Sequence, residues 1–197
     1  NKTEEIIENA GHGQFNLFEN TQEINVMSDK KVIDQEIISN KSLELFLNRL
    51  KKQKNVSYSF LTKGDNFANL EIKNISFSWE NNLSYSINDE NRDLDKILKI
   101  FFEDQNITKI SNDVKQDIKL LSKKNIKVKG EVFDIKLAHY LINPDINHDI
   151  VNLSKNYLNI KSGDLKSNEI SELTHQLKPL LEKDLVKYNQ IDLYNKI

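Results

Sequence analysis

The sequence predicts a mixed α/β fold, and three features of its hydrophobic pattern support this prediction. Apolar and polar residues alternate in several segments between residues 56 and 87, as they do in half-buried strands. Apolar residues three and four positions apart dominate from residue 94 onward, as they do in helices. A short apolar run at 107–110 returns to strand character between two of these helices. Strands followed by helices with an interleaved strand are typical of a sheet that carries helices on its faces.

The first predicted strand and helix lie between residues 31 and 50. Lys31–Ile33 is a short apolar run suited to a strand. Ser42 is the predicted N-cap of a helix that ends near Leu50 and has Glu44 in its first turn. The apolar positions of this helix are Leu43, Leu45, Phe46, Leu47 and Leu50.

Three alternating segments, at 56–60, 70–79 and 83–87, predict an antiparallel meander. The polar turn Glu80–Asn82 between the last two segments predicts a hairpin. Helices are then predicted at 94–102, 113–124, 134–142, 150–158 and 182–195.

Composition excludes several classes of protein. The 197 residues suit one domain, or one domain with a tail. The 28 basic and 30 acidic residues nearly cancel, which argues against a protein that holds nucleic acid by charge alone. The absence of cysteine excludes disulfides and zinc-thiolate sites. The sequence contains no signal peptide and no apolar run of the roughly 18 residues that a membrane span needs, so a cytoplasmic location is predicted.

The N-terminal part is predicted to be separate from the domain. Residues 1–29 are interpreted as a flexible linker with one apolar cluster at Phe15–Phe18, and residues 30–197 as the folded domain. Because the chain begins with Asn1 and not with Met, we interpret it as a fragment of a longer protein.

The most specific motifs lie between Lys109 and Leu158. They are Ser111-Asn-Asp-Val-Lys-Gln-Asp117, the run from Phe133-Asp-Ile-Lys-Leu-Ala to Asn143-Pro144, and His148-Asp-Ile before a helix that ends in Tyr157-Leu158. In this order they resemble the 3′–5′ exonuclease domain of bacterial DNA polymerase I, the family A repair polymerase. The resemblance implies a ribonuclease-H-like fold of the DnaQ exonuclease type, a mixed sheet flanked by helices.

The resemblance also implies a chemistry. The family hydrolyses the terminal phosphodiester of a DNA 3′ end with two divalent metal ions, Mg²⁺ or Mn²⁺, held by four acidic residues in three motifs. Asp117 matches the acid of the second motif. Tyr188 and Asp192 match the Tyr-x-x-x-Asp of the third motif, and their spacing predicts one shared helix face.

The first motif, Asp-x-Glu, fails. The resemblance places Leu61 and Lys63 at its two acidic positions. Leucine cannot bind a metal ion, and an ammonium group about 4 Å away would repel one by about 1 to 4 kcal/mol. We therefore predict no metal cofactor unless the exonuclease is active, and a salt bridge from Lys63 to the remaining acids. Asp34-Gln35-Glu36 has the same spacing as the motif, but it lies too far upstream of Asp117.

The remaining polar residues are given structural interpretations. His148 is predicted to cap the following helix, and Asp134 to be an N-cap. His12, His139 and His175 are assigned no role. The lysine cluster is interpreted as a solvated face and less favourably as a DNA contact; it comprises Lys119, Lys123, Lys124, Lys127 and Lys129.

The sequence thus predicts an exonuclease-like domain of a DNA polymerase I that acts in DNA replication and repair. The domain is predicted to be catalytically inactive, to support the polymerase domain of its parent chain and to bind DNA weakly at most. Two alternatives stay open. The first is an active exonuclease whose metal site has been rebuilt, for instance with Asp65 or Glu71, and the second is a stand-alone nucleic-acid interaction module.

Overall fold

Six strands form one mixed sheet: β1 (Ile33–Glu36), β2 (Asn55–Lys63), β3 (Glu71–Glu80), β4 (Leu83–Asn88), β5 (Thr108–Ser111) and β6 (Val132–Asp134). Their order across the sheet is β1-β4-β3-β2-β5-β6. In this computed structural model, residues 31–90, 94–160 and 163–197 are described. The antiparallel strands β2, β3 and β4 form the predicted meander, while β1 pairs with β4, β5 with β2 and β6 with β5 in parallel. The mixed α/β class is therefore confirmed.

Helices flank this sheet. They are α1 (Asn40–Leu50), α2 (Leu94–Phe102), α3 (Val114–Lys123), α4 (Ile135–Ile142), α5 (Ile150–Leu158), α6 (Ser167–Lys187) and α7 (Ile191–Tyr194). A 3₁₀ turn at Phe67–Asn69 precedes β3. The predicted linker, its cluster at 15–18 and His12 lie outside the described residues.

The N-terminal elements are shifted from their predicted positions. The first strand begins at Ile33, not at Lys31. The N-cap of α1 is Ser39, not Ser42, because Ser39 and Ser42 form a reciprocal capping box. The sequence pattern also missed β6, since a strand of three residues has no periodicity of its own and depends on its pairing with β5.

The predicted C-terminal helix 182–195 is wrong at both ends. Helix α6 begins fifteen residues earlier, at Ser167, and contains Pro179. It ends at Lys187, because Asn189 adopts a left-handed conformation with φ of 56° that interrupts the helix. The short helix α7 then begins at Ile191.

Helices cover both faces of the sheet. The ring of Tyr58 on β2 packs against Phe101 and Phe102 of α2, while the hydroxyl of the adjacent Ser57 lies 2.7 Å from the carbonyl oxygen of Ser171 on α6. Since successive strand residues point to opposite faces, α2 and α6 lie on opposite sides of the sheet.

Each face has its own core. The α2 side buries residues of α1, α2 and α3, among them Phe46, Leu98 and Leu121. The α6 side buries residues of α4, α5 and α6, among them Leu153 and Leu177. The α2-side core includes Val56 and Tyr58 of β2, and the α6-side core includes Ile110 of β5. These two strands carry residues described next.

Candidate active site

Asp117 lies in the first turn of α3, beside the end of β5. Helix α3 begins there because Asp113 caps it and accepts a hydrogen bond from the backbone N–H of Gln116 at 3.1 Å. Ser111, the last residue of β5, donates a short hydrogen bond from its hydroxyl to the Asp117 carboxyl. The Tyr58 hydroxyl interacts with the same carboxyl and with Ser111. Residues from α3, β5 and β2 therefore meet at this point.

Burial dominates the electrostatics of this cluster. It raises the pKa of the Asp117 carboxyl to about 7, while the Ser111 and Tyr58 hydroxyls lower that pKa and the charges of Asp113 and Asp134 raise it further. Burial and the Asp117 charge also raise the pKa of Tyr58 well above its ordinary value. The carboxyl is thus partly protonated at neutral pH, and its charge is weaker than that of an exposed aspartate.

Two other aspartates lie close to Asp117, but both have structural partners. Asp113 forms an ion pair with Lys136 at 3.2 Å. Asp134 accepts hydrogen bonds from the backbone N–H groups of Val114 at 2.9 Å and Leu137 at 2.8 Å, so its predicted N-cap role is confirmed. Neither carboxylate is a free ligand next to Asp117.

The first-motif positions lie elsewhere. Leu61 and Lys63 lie three and five residues beyond Tyr58 on β2, or about 10 and 16 Å along an extended strand. Leu61 is 55% exposed, and Lys63 is exposed as well. The structure therefore places Tyr58 against Asp117, and not Leu61 or Lys63.

The predicted salt bridge from Lys63 is not formed. Within residues 31–90, 94–160 and 163–197, no ion pair joins Lys63 to Asp117 or Asp192. The physical reason is the distance along β2, together with the two hydroxyls that already interact with Asp117.

The third-motif residues do not share a helix face. Tyr188 is the C-cap of α6 and is 48% exposed, whereas Asp192 is exposed on α7. The left-handed Asn189 between them separates the two helices, so the i,i+4 argument does not apply. The hydrogen bonds and ion pairs of the described residues connect neither Tyr188 nor Asp192 to Asp117.

The alternative acids have other partners. Asp34 accepts hydrogen bonds from the Ser84 and Ser86 hydroxyls at 2.9 Å, and β4 and β3 separate its strand from β2. Glu71 forms an ion pair with Lys73 at 3.1 Å, and Asp65 is exposed. Nowhere in the described part of the chain do three or more His, Asp or Glu side chains group so that they could hold a metal ion. The residues present therefore do not fit the two-metal site that the family resemblance implies.

The histidines have roles that the sequence did not show. The cap of α5 is Asp149, which accepts a hydrogen bond from the backbone N–H of Asn152 at 2.7 Å, so the prediction that His148 caps this helix is wrong. His148 and His139 instead face each other with their Nδ1 atoms 2.8 Å apart. His175 is more than half buried, and its Nδ1 lacks a hydrogen-bond partner within the described residues.

Most of the predicted lysine cluster is engaged within the domain. Lys123 donates to the carbonyl oxygens of Phe67 and Ala68. Lys124 pairs with Asp95 at 2.6 Å, and Lys129 pairs with Glu103 at 3.4 Å. These contacts favour the structural interpretation of the cluster over a DNA contact.

The comparison with known families decides the family of this chain. The family described as "DNA polymerase I, ribonuclease H-like domain" matches residues 60–170, which is more than half of the chain. The chain belongs to this family. It is thus a 3′–5′ exonuclease-like domain of the DNA polymerase I family, as its motifs predicted. No curated protein matches the sequence significantly.

Solved structures agree with the ribonuclease H-like fold of this family. NrnC from Brucella melitensis superposes with a TM-score of 0.64 at 16% identity, over 81% of this chain and 83% of that chain, and NrnC has also been solved with bound Mg²⁺. Pol1 from M. smegmatis, in complex with a DNA primer-template and dNTP, has a TM-score of 0.69 at 14% identity. Here the match covers 82% of this chain but 29% of the solved chain, which is described as the POL domain of Pol1.

The catalytic core of RRP6 from Trypanosoma brucei has a TM-score of 0.67 at 12% identity, over 83% of this chain and 50% of that chain. At such identities these similarities establish the fold alone.

Among the described residues, no helix combines the length and the apolar character that crossing a bilayer requires.

The sequence did not single out Tyr58 and Ser111 as site residues. Tyr58 belongs to a regular alternating strand, and Ser111 occupies the small-residue position before the second motif. The one available signal was that small residue, because it directly precedes the run that ends in Asp117.

Proposed function

We propose that this chain is the 3′–5′ exonuclease-like domain of a DNA polymerase I that does not cleave DNA and supports the polymerase domain of its parent chain. The observation that carries this proposal is the environment of Asp117. Its carboxyl interacts with the Tyr58 and Ser111 hydroxyls, and the two described acids beside it, Asp113 and Asp134, both have structural partners. Two-metal hydrolysis needs several carboxylates around both ions, because each one offsets part of the metal charge.

The activity test uses the whole chain with 5′-labelled single-stranded DNA and Mg²⁺ or Mn²⁺. We expect no shortening of the DNA 3′ end beyond that seen with the Asp117→Ala variant. A matched control is Asp145→Ala, which removes an exposed aspartate from the loop after α4. Shortening by the wild type and by Asp145→Ala, but not by Asp117→Ala, would contradict the proposal.

One observation favours a rebuilt metal site as a second candidate function. Asp113 and Asp134 are near enough to Asp117 to raise its pKa, so three acids lie in one region. To bind a metal ion, Asp113 would have to leave Lys136, and Asp134 would have to leave the backbone N–H groups that it caps. Calorimetric titration with Mn²⁺ separates the two candidates, since only the rebuilt site predicts saturable binding that Asp113→Asn weakens.

The supporting role is tested separately from the activity. Family A polymerase motifs in the gene beyond codon 197 are expected for a polymerase domain and not for a stand-alone interaction module. Given such motifs, the polymerase part expressed as a separate chain should bind this domain and gain thermal stability from it. The role as a support would be contradicted if the polymerase part did not bind this domain and if its own melting temperature did not change when the domain was added.

A further inference from the structure

The environment of Asp117 points to a use of this carboxyl other than metal binding. Asp117 belongs to α3, whereas Ser111 ends β5 and Tyr58 lies on β2. The Ser111 hydroxyl donates to the Asp117 carboxyl and also accepts from the backbone N–H of Asp113 at 3.3 Å. One carboxyl therefore links the start of a helix to two neighbouring strands.

The ring of Tyr58 is held firmly in place. The residue is 1% exposed, and its ring centroid lies 5.3 Å from that of Phe60, 5.7 Å from Phe101 and 4.8 Å from Phe102. A close-packed ring of this kind has little room to turn. The Tyr58 hydroxyl, which interacts with the Asp117 carboxyl, is therefore held in place by the packing of its ring.

The charges around Asp117 also differ from those of a metal-binding acid cluster. Acids that face one another without a metal ion repel, so replacing one of them commonly stabilises the fold. Asp113 instead pairs with Lys136 at 3.2 Å, which offsets part of its repulsion of Asp117, and the Ser111 hydroxyl that donates to Asp117 favours an acceptor at that position. If Asp117 were removed, the buried hydroxyls of Tyr58 and Ser111 would lose their acceptor. An unsatisfied buried hydroxyl costs more stability than the loss of an ordinary hydrogen bond.

We propose that Asp117, hydrogen-bonded to Ser111 and beside the hydroxyl of the packed Tyr58 ring, forms a clamp that holds α3 on β5 and β2, so that Asp117 stabilises this domain and does not bind a metal ion. The clamp rests on the proposed absence of cleavage, and it explains why an acid persists at the second-motif position.

A double-mutant cycle in the whole chain tests the clamp. Tyr58→Phe removes only the hydroxyl and should raise the equilibrium constant for unfolding about five- to tenfold. In the Asp117→Ala background the same change should leave this constant unchanged or lower it, because the hydroxyl has already lost its acceptor. Tyr140→Phe is the matched control, since this tyrosine is 51% exposed, and it should change the constant equally in both backgrounds. If Asp117→Ala does not fold, Asp117→Leu replaces it, because leucine fills the same space without an acceptor.

Mn²⁺ supplies a second measurement. A metal ion bound at Asp117 would raise the melting temperature of the wild type more than that of Asp117→Ala, whereas the clamp predicts equal shifts. Equal effects of Tyr58→Phe in both backgrounds, or a selective Mn²⁺ shift of the wild type, would overturn the clamp. If the chain cleaved DNA while the effect of Tyr58→Phe still differed between the two backgrounds, only the proposed inactivity would be overturned. If the chain did not cleave DNA and Tyr58→Phe had the same effect in both backgrounds, only the clamp would be overturned.

Discussion

Asp117 shows how the surroundings of one residue change what its carboxyl can do. The family resemblance makes it the acid of the second metal-binding motif, yet in this chain it is half-buried, accepts a hydrogen bond from the Ser111 hydroxyl and interacts with that of Tyr58. Burial favours the protonated form, and the neighbouring acids favour it further. Because hard cations bind ionised oxygens, a cation at this position would have to displace a proton from the carboxyl near neutral pH.

The raised pKa of Asp117 predicts a pH dependence of stability. Its pKa rises from an ordinary 3.8 to about 7 on folding, so its contribution to stability is fully present below pH 3.8 and is lost as the pH rises through 7. Between pH 5 and pH 8 the wild type should lose about 2 to 3 kcal/mol more than Asp117→Asn, whose amide does not titrate.

Urea unfolding at the two pH values measures this difference. The control is Asp145→Asn, an exposed aspartate whose replacement should leave the pH dependence of the wild type unchanged. The same pH dependence in the wild type and in Asp117→Asn would contradict the prediction.

At the scale of elements, a pair of imidazoles links α4 to the segment that precedes α5. His139 on α4 is 2% exposed, and His148 precedes the N-cap of α5. A hydrogen bond between two Nδ1 atoms 2.8 Å apart needs one proton between them. When both rings are neutral, one Nδ1 donates to the other, and this bond survives one added proton on the pair. A second added proton would break the bond, because both Nδ1 atoms would then be donors. Tyr140 of α4, Tyr157 of α5 and Asp184 of α6 are the other titratable groups around the pair.

This pair predicts the titration of His139. Burial and the charge of His148 lower the pKa of His139 below 6.5, while Asp184 raises it. Because its pKa is lower in the folded state, the contribution of His139 to stability is present above pH 6.5 and is lost as the pH falls through the folded pKa. His148→Gln removes the repelling charge, so the His139 pKa should rise yet stay below 6.5, because burial remains.

NMR titration of the imidazole resonances measures this pKa directly. His175→Gln is the control, since His175 is the other histidine in the described residues whose pKa is lowered by burial. A His139 pKa that is the same in the wild type and in His148→Gln would show that the two rings do not interact.

At the scale of the molecule, two cores share one sheet. Small hydroxyl residues allow α6 to approach the strands closely: Ser57 reaches the carbonyl oxygen of Ser171, and the Ser167 hydroxyl lies 3.0 Å from the carbonyl oxygen of Ser59. The other core packs α2 on the opposite face, with Tyr58 against Phe102. Since β2 contacts α2 through Tyr58 on one face and α6 through Ser57 on the other, loss of one core should destabilise the other, and the domain should unfold in one cooperative transition.

The single tryptophan allows a test of this cooperativity. Trp79 packs on the α2 side, stacked on Tyr85 with ring centroids 4.5 Å apart. Leu177→Ala, in the core on the α6 side, should lower the free energy of unfolding by about 2 to 5 kcal/mol. The midpoint followed by Trp79 fluorescence and the midpoint followed by far-UV circular dichroism should shift together.

The control for this experiment is Leu45→Ala, which truncates a leucine that is 57% exposed on α1. It should move both midpoints only slightly. If Leu177→Ala shifted the circular dichroism midpoint but left the Trp79 midpoint in place, the two cores would be independent.

Much of the fold could be predicted because its signals are local. The period of two in 70–79 and the turn at 80–82 depend on neighbouring residues, and β3, β4 and their hairpin lie where the pattern placed them. Helix α2 matches its predicted bounds for the same reason. The C-terminal helix was predicted wrongly, because its hydrophobic pattern continues across Asn189 although the backbone turns there.

The sequence by itself determined the strand meander, the helix pattern, the place of Asp117 at the start of a helix and the resemblance to the DNA polymerase I family. These features rest on contacts between residues a few positions apart. Only the tertiary structure decided which groups surround Asp117. It brings Tyr58 and Ser111 to this carboxyl and leaves Lys63, Tyr188 and Asp192 at a distance. The physical reason is that strand order and register, which no local period encodes, determine which distant side chains meet.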